Sequence, residues 1–211
     1  MSRPAMRIGI DFDNTIACYD GVFHAAALER QLIPTDLPSD KTSVRDHLRS
    51  LGRDADFTEL QGYVYGSRMQ LVNVFPGFVE TLRTLRANGH DVFIVSHKTR
   101  TPFAGPAYDL HAAAREFLNA RAIVGDNDGQ IPAQNVFFEL TKEEKVARIA
   151  ALGCDVFIDD LPEILAMDGY PAGLRAILFD PDNHYADGVW HGRTFERYRS
   201  WREIGAAIDT V

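Results

Sequence analysis

The chain has 211 residues, enough for one domain of roughly 100–200 residues or for one such domain carrying a sizeable insertion, and its 45% hydrophobic and 25% charged content is that of a globular protein. Disorder and fibrous architectures are excluded on that ground. Lys and Arg total 22 against 30 Asp and Glu, a net charge of −8, which argues against a general nucleic-acid partner because phosphates call for a basic surface.

Cys18 and Cys154 lie far apart without metal-ligand spacing, so they are expected to be free packing thiols in a reducing compartment. The opening MSRPAMRIGIDFDNT lacks the ~7–15-residue apolar stretch of a secretory signal. No run approaches the ~20 apolar residues of a membrane span. The expected location is the cytoplasm, with no membrane partner.

Residues 6–10 are a short apolar run closed by Asp11-Phe12-Asp13-Asn14, the pattern of a buried strand ending in a polar loop. The stretch 17–86 that follows is far longer than one crossover helix requires. Within it, 22–31, 43–51 and 57–74 have helical composition and 32–39 reads as loop. We read 17–75 as a helical cap insertion and Pro76-Gly77 as the turn back into a main domain made of 1–16 and 76–211. There, a helical pattern over 78–87 and an Asn88-Gly89 stop precede a strand at 91–96. A shorter strand is expected at 136–139, a helix at 141–152 stopped by Gly153, and strands at 155–160 and 174–179, the last ending in Asp180-Pro181. Short apolar strands alternating with helices predict an α/β fold, a doubly wound and mostly parallel sheet covered on both faces.

Ligands of such sheets bind outside the carboxyl ends of the strands. Three predicted strands end there in Asp11/Asp13, Ser96 and Asp159/Asp160. Carboxylates two positions apart in an extended segment lie on one side. At about 4 Å and an effective dielectric near 20, two unit charges repel by roughly 4 kcal/mol. The cluster therefore calls for a cation, protonated carboxyls, or both. A small set of hard oxygen ligands favours Mg2+ together with substrate phosphate. Singly, each Asp reads as a helix cap or turn residue, Ser96 as an N-cap and Lys145 as a solvated helix lysine. Asp-x-Asp-x-Thr and Asp-Asp on separate strand ends together point to chemistry.

In chain order, Asp11-Phe12-Asp13-Asn14-Thr15, Ser96 after Val-Phe-Ile-Val, Lys145, and Asp159-Asp160 after Val-Phe-Ile resemble the haloacid dehalogenase (HAD) superfamily of phosphohydrolases. The resemblance spans nearly the whole chain and implies a Rossmann-like core with a cap inserted after the first motif. It implies that Asp11 is a nucleophile forming an aspartyl-phosphate and Asp13 the general acid and base. Ser96 would bond a phosphoryl oxygen, and Lys145 would bring positive charge to Asp11 and the transferring group. Mg2+ would be held by Asp11, the backbone carbonyl of Asp13 and Asp159, with Asp160 ligating through water or orienting the shell.

Lys142 is an alternative to Lys145, whose separation from Asp159 fits the resemblance better. Asn14 stands where many members carry glycine, and Asn tolerates left-handed geometry. Glu163 reads as a helix-start charge. Asp13 separates phosphoryl chemistry from dehalogenation, because the family's dehalogenases carry no acid/base Asp there.

Candidate substrate-binding residues are Thr15, Tyr65, Arg68, His97 and Lys98, the last two from the rim loop His97-Lys98-Thr99-Arg100; Tyr19, His24 and Tyr63 are further lid candidates. Each also has an ordinary packing or solvation reading. Trp190, His191 and Trp201 read as packing residues. The expected function is Mg2+-dependent hydrolysis of a small phosphomonoester, a nucleotide or sugar phosphate. A phosphotransferase or mutase using the same intermediate, or a non-catalytic phospho-binding or receiver-like module, is the alternative. Receivers place their acidic pair first and their phospho-acceptor later, and they lack such an insertion.

Overall fold

A computed structural model describes residues 4–171, 173–185 and 193–209. In chain order the strands are β1 (Arg7–Ile10), β2 (Ala17–Cys18), β3 (Asn73–Val74), β4 (Asp91–His97), β5 (Val136–Glu139), β6 (Val156–Asp159), β7 (Arg175–Phe179) and β8 (Glu196–Tyr198). The helices are α1 (Val22–Glu29), α2 (Lys41–Ser50), α3 (Asp54–Ser67), α4 (Phe78–Ala87), α5 (Leu110–Ala120), α6 (Lys142–Ala151), α7 (Pro162–Leu165) and α8 (Trp201–Asp209). The chain divides into two units, one of Met1–Ala17, Val74–His97 and Arg121–Val211, the other of Cys18–Asn73 and Lys98–Ala120.

The first unit is built on a parallel six-stranded sheet in the order β5-β4-β1-β6-β7-β8. Its inner strands are continuous apolar runs because helices cover both faces. Chain order reverses at β1, which pairs with β4 on one side and β6 on the other. Open α/β sheets bind ligands at such a switch point. Helix α4 forms because Phe78, Leu82 and Leu85 recur at helical spacing and are buried. Its Phe78 ring meets Trp201 of α8 edge-on at 4.8 Å. The fully buried Trp201 is therefore a core residue, as expected, while Trp190 and His191 lie outside the described residues. Helix α6 starts from a capping box, in which Thr141 accepts from the Glu144 N–H and the Glu144 carboxylate accepts from the Thr141 N–H.

Sheet edges departed from the sequence reading. β8 is Glu-Arg-Tyr, half-buried at the edge and tied to β7 by the Arg175–Glu196 ion pair, so it has no apolar run to reveal it. The helix expected over 57–74 runs instead over Asp54–Ser67, followed by a single 3₁₀ turn at Met69–Leu71.

The second unit is helical. Asp40 caps α2 by accepting from the Ser43 N–H at 2.8 Å, which starts that helix two residues before the expected position. Val44 and Leu48 of α2, Phe23 of α1, and Leu60 and Val64 of α3 are buried. The unit also takes in Lys98–Ala120, so the main domain expected over 76–211 is interrupted there. The reason is close packing on α3. A Cβ at Gly62 would lie 2.6 Å from Cβ of Pro102, and one at Gly66 would lie 2.4 Å from Cβ of Tyr108. These two glycines, one turn apart, let the 98–109 segment lie directly on the helix, and α5 follows with Leu110, Ala114, Phe117 and Leu118 buried.

Strands β2 and β3 pair in a two-stranded sheet where the chain passes from one unit to the other and back. Both cysteines are buried thiols, as expected of packing residues. Among the described residues no helix is long and apolar enough to cross a membrane.

Candidate active site

The site grows from the carboxyl end of β1. Ile10 stands in register with both Ile94 of β4 and Ile158 of β6, so Asp11, Ser96 and Asp159 emerge at one edge of the sheet. The Asp11 N–H donates to the Ile158 carbonyl at 2.9 Å, which carries the alignment one residue past the strand. A tight turn follows, with the Ile16 and Ala17 N–H groups both donating to the Phe12 carbonyl. Asn14 sits in it at φ 57, the left-handed geometry its residue type tolerates. Phe12 is fully buried against Phe138, while Asp13 stays half-buried.

Lys145 arrives from the first turns of α6 and is the candidate lysine that reaches the carboxylates. It is 2% exposed, and its Nζ donates to Oδ1 of Asp11 and to Oδ2 of Asp159, each at 2.6 Å. Lys142 begins the helix and is half-buried. Asp159, fully buried, also accepts from the Leu161 N–H at 3.0 Å. One oxygen each of Asp11, Asp159 and Asp160 lies within 4.8 Å of the others.

Carboxylates thus outnumber cations in a buried space, and the titration behaviour follows. The Asp11 carboxyl is raised to about 7, chiefly by burial, with Lys145 acting downward and Asp159 and Asp13 adding to the rise. Asp160 is driven well above the usual carboxylate range by burial and then by Asp159 and Asp11. For Lys145 burial works downward, but Asp11 and Asp159 outweigh it and hold the ammonium charged. An all-oxygen, excess-negative donor set of this kind fits a hard divalent cation.

Ser96 is buried at the end of β4. Thr15 is fully buried; its carbonyl accepts from Trp201 Nε1 at 3.0 Å, and its Oγ1 has no hydrogen-bond partner among the described residues. His97 places Nε2 3.1 Å from the Leu140 carbonyl oxygen, and its pKa is lowered by burial and by Lys145 and Lys142, against the Leu140 bond.

The other sequence candidates belong to the second unit. Lys98 is buried with Nζ 4.8 Å from the Tyr65 ring centroid, and the Tyr65 hydroxyl accepts from Lys41 at 2.9 Å. Arg68 is engaged by Glu29 and lies over the Tyr63 ring, whose hydroxyl donates to Glu29. The Tyr19 hydroxyl lies 3.6 Å from Met69 Sδ, and His24 Nε2 is buried without a partner among the described residues.

Two features were not singled out from sequence. Asp180, at the end of β7, is buried and accepts from the His184 and Tyr185 N–H groups and from Arg197, which anchors the following loop. Its only sequence signal was its place after an apolar strand. The Tyr170 phenol is held above its usual range by burial and by Asp159, which puts it within the field of the carboxylate cluster. Nothing in its local sequence showed this.

No protein-family model and no curated protein matches the chain. Solved structures do. A HAD-superfamily hydrolase from Ehrlichia chaffeensis shares 17% identity over 99% of this chain and 98% of its own, with a TM-score of 0.54. A predicted phosphoglycolate phosphatase from Haemophilus somnus 129PT shares 13% over 97% and 98%, with a TM-score of 0.53. A HAD hydrolase from Bacillus subtilis, solved bound to magnesium, shares 12% over 98% and 100%, with a TM-score of 0.54. With the motif residues gathered at one sheet edge, this chain has the fold of the HAD-superfamily hydrolases.

Proposed function

We propose that the protein is a magnesium-dependent phosphatase that hydrolyses a small phosphomonoester, of nucleotide or sugar-phosphate size, through an aspartyl-phosphate on Asp11. The observation that carries this reading is the convergence of Asp11, Asp159 and Asp160 within 4.8 Å beside a buried lysine bonded to two of them. That the fold is shared with a predicted phosphoglycolate phosphatase and with a magnesium-bound hydrolase supports it.

Asp11, the backbone carbonyl of Asp13, Asp159 and Asp160 would hold Mg2+, which supplies positive charge to the phosphoryl oxygens and offsets the clustered carboxylates. An Asp11 carboxylate oxygen attacks phosphorus as the bond to the ester oxygen breaks. Asp13 gives its proton to the departing alkoxide. It then takes a proton from water as the water oxygen attacks phosphorus and the bond to Asp11 breaks, which returns both residues to their starting states. Lys145 and Ser96 face the negative charge that the transferring group develops.

The test is phosphate release from a panel of phosphomonoesters, with and without magnesium, beside Asp11→Asn. Magnesium-dependent release that vanishes in the variant is expected. A folded protein that releases nothing, or an Asp11→Asn variant with wild-type rates, overturns the proposal; product that appears only when an alcohol acceptor is added establishes phosphoryl transfer instead.

A further inference from the structure

We propose that Phe157 is a positioning residue for Lys145, an aromatic shelf that exists because position 9 is glycine. Gly9 and Phe157 are in register on the neighbouring parallel strands β1 and β6, so their side chains leave the sheet on the same face. A Cβ at position 9 would lie 2.6 Å from Cδ2 and 3.0 Å from Cε2 of Phe157, and 3.2 Å from Sγ of Cys154. The ring fills the space that any other residue on this central strand would need. It is fully buried in a cluster with Phe93, Val95, Ile149 and Leu178. Ile149 follows Lys145 by one turn of α6, so the ring lies against the helix face that carries the lysine. The Lys145 Nζ stands 5.5 Å from its centroid, inside the ~6 Å reach of a cation–π contact. Tyr170 backs the ring at 6.3 Å between centroids.

Two hydrogen bonds to Asp11 and Asp159 leave an ammonium on a flexible stem free to pivot about the line between its acceptors. The ring restrains that pivot. The carboxylate bonds also change with chemistry, because phosphorylation of Asp11 turns its carboxylate into an acyl phosphate and moves the negative charge onto the phosphoryl oxygens. The attraction of the ring does not change, so it holds the ammonium at the site through the cycle. This kinetic consequence rests on the phosphatase reading; the contact itself does not.

The experiment therefore has two arms, applied to Phe157→Leu, Phe157→Tyr, Gly9→Ala and the control Phe93→Leu. Phe93 lies in the same cluster, and the cation over its ring is the Arg7 guanidinium, at 5.1 Å. In the first arm, proton NMR follows the Lys145 ε-methylene, assigned by its loss in Lys145→Arg. We expect ring-current-shifted signals in the wild type, Phe157→Tyr and Phe93→Leu that return to the ordinary lysine position in Phe157→Leu and Gly9→Ala. In the second arm, kcat for a phosphomonoester should fall about tenfold in Phe157→Leu and Gly9→Ala, recover in Phe157→Tyr, and fall far less in Phe93→Leu at a comparable loss of Tm. Unshifted Lys145 signals in the wild type, or equal losses of kcat in Phe157→Leu and Phe93→Leu, overturn the proposal. If no ester turns over, the phosphatase reading fails and the NMR arm decides this proposal alone. Should Phe157→Leu not fold, Gly9→Ala displaces the ring with Phe157 still present.

Discussion

Lys145 and Asp159 are fourteen positions apart in the chain and 2.6 Å apart at their charged ends, both buried. The same ammonium holds Asp11, so a single cation stands against two deeply buried carboxylates. Lys145→Met would leave both without their partner, and removing one member of a buried pair costs about 3–5 kcal/mol. Thermal unfolding of the metal-free variant should show that loss, and added magnesium should recover part of it. An unchanged Tm in the metal-free variant would show that the pair carries no such weight.

Metal-free stability should also fall as pH rises. Asp11 ionises near 3.8 in the unfolded chain and at about 7 in the folded one. Between those values the native state binds more protons than the unfolded state, so stability is greatest below the unfolded value and is lost as pH climbs through the folded one. The full span corresponds to at most about 4 kcal/mol. Denaturant unfolding at pH 5 and pH 8 should show the decline, Asp11→Asn should flatten it, and saturating magnesium should reverse its sign.

On the proposed mechanism, Asp13→Asn removes the acid without removing the nucleophile. Turnover should drop by roughly 10²–10⁴-fold with an alkyl phosphate and by much less with p-nitrophenyl phosphate, whose leaving group needs no proton. Equal losses with both esters would mean that Asp13 does something other than protonate the leaving oxygen.

Gly66→Ala tests the helical unit separately. The new Cβ would meet Cβ and Cγ of Tyr108 at 2.4 Å, and such overpacking costs typically 1–3 kcal/mol. Hydrogen exchange should quicken over 98–120 while the amides of β1, β4 and β6 keep their protection. Uniform loss across both units would show instead that the two unfold together.

The arrangement of the sheet edge was readable because its signals are local. The apolar runs of β1, β4 and β6 each stop at a polar residue, and strands buried on both faces must be apolar along their length. Asp11, Ser96 and Asp159 therefore announced themselves as strand ends. The polar edge strand β8 was invisible for the same reason, since it has no apolar run. Helix α5 did carry a helical spacing in Leu110, Ala114, Phe117 and Leu118, but its place beside α3 depends on Gly62 and Gly66, whose meaning appears only when another segment lies on them.

Sequence alone determined the residue types and their order: an acidic pair, a serine, a lysine and a second acidic pair on an alternating strand and helix pattern, which is enough to specify the class of fold. Tertiary structure decided what depends on distance and burial. It brought Lys145 within hydrogen-bond distance of both Asp11 and Asp159, where its charge offsets theirs. It assigned Lys98–Ala120 to the helical unit because close packing on α3 holds that segment there. It also set the Phe157 ring beside Lys145 across Gly9, a contact between three distant positions that no local pattern encodes.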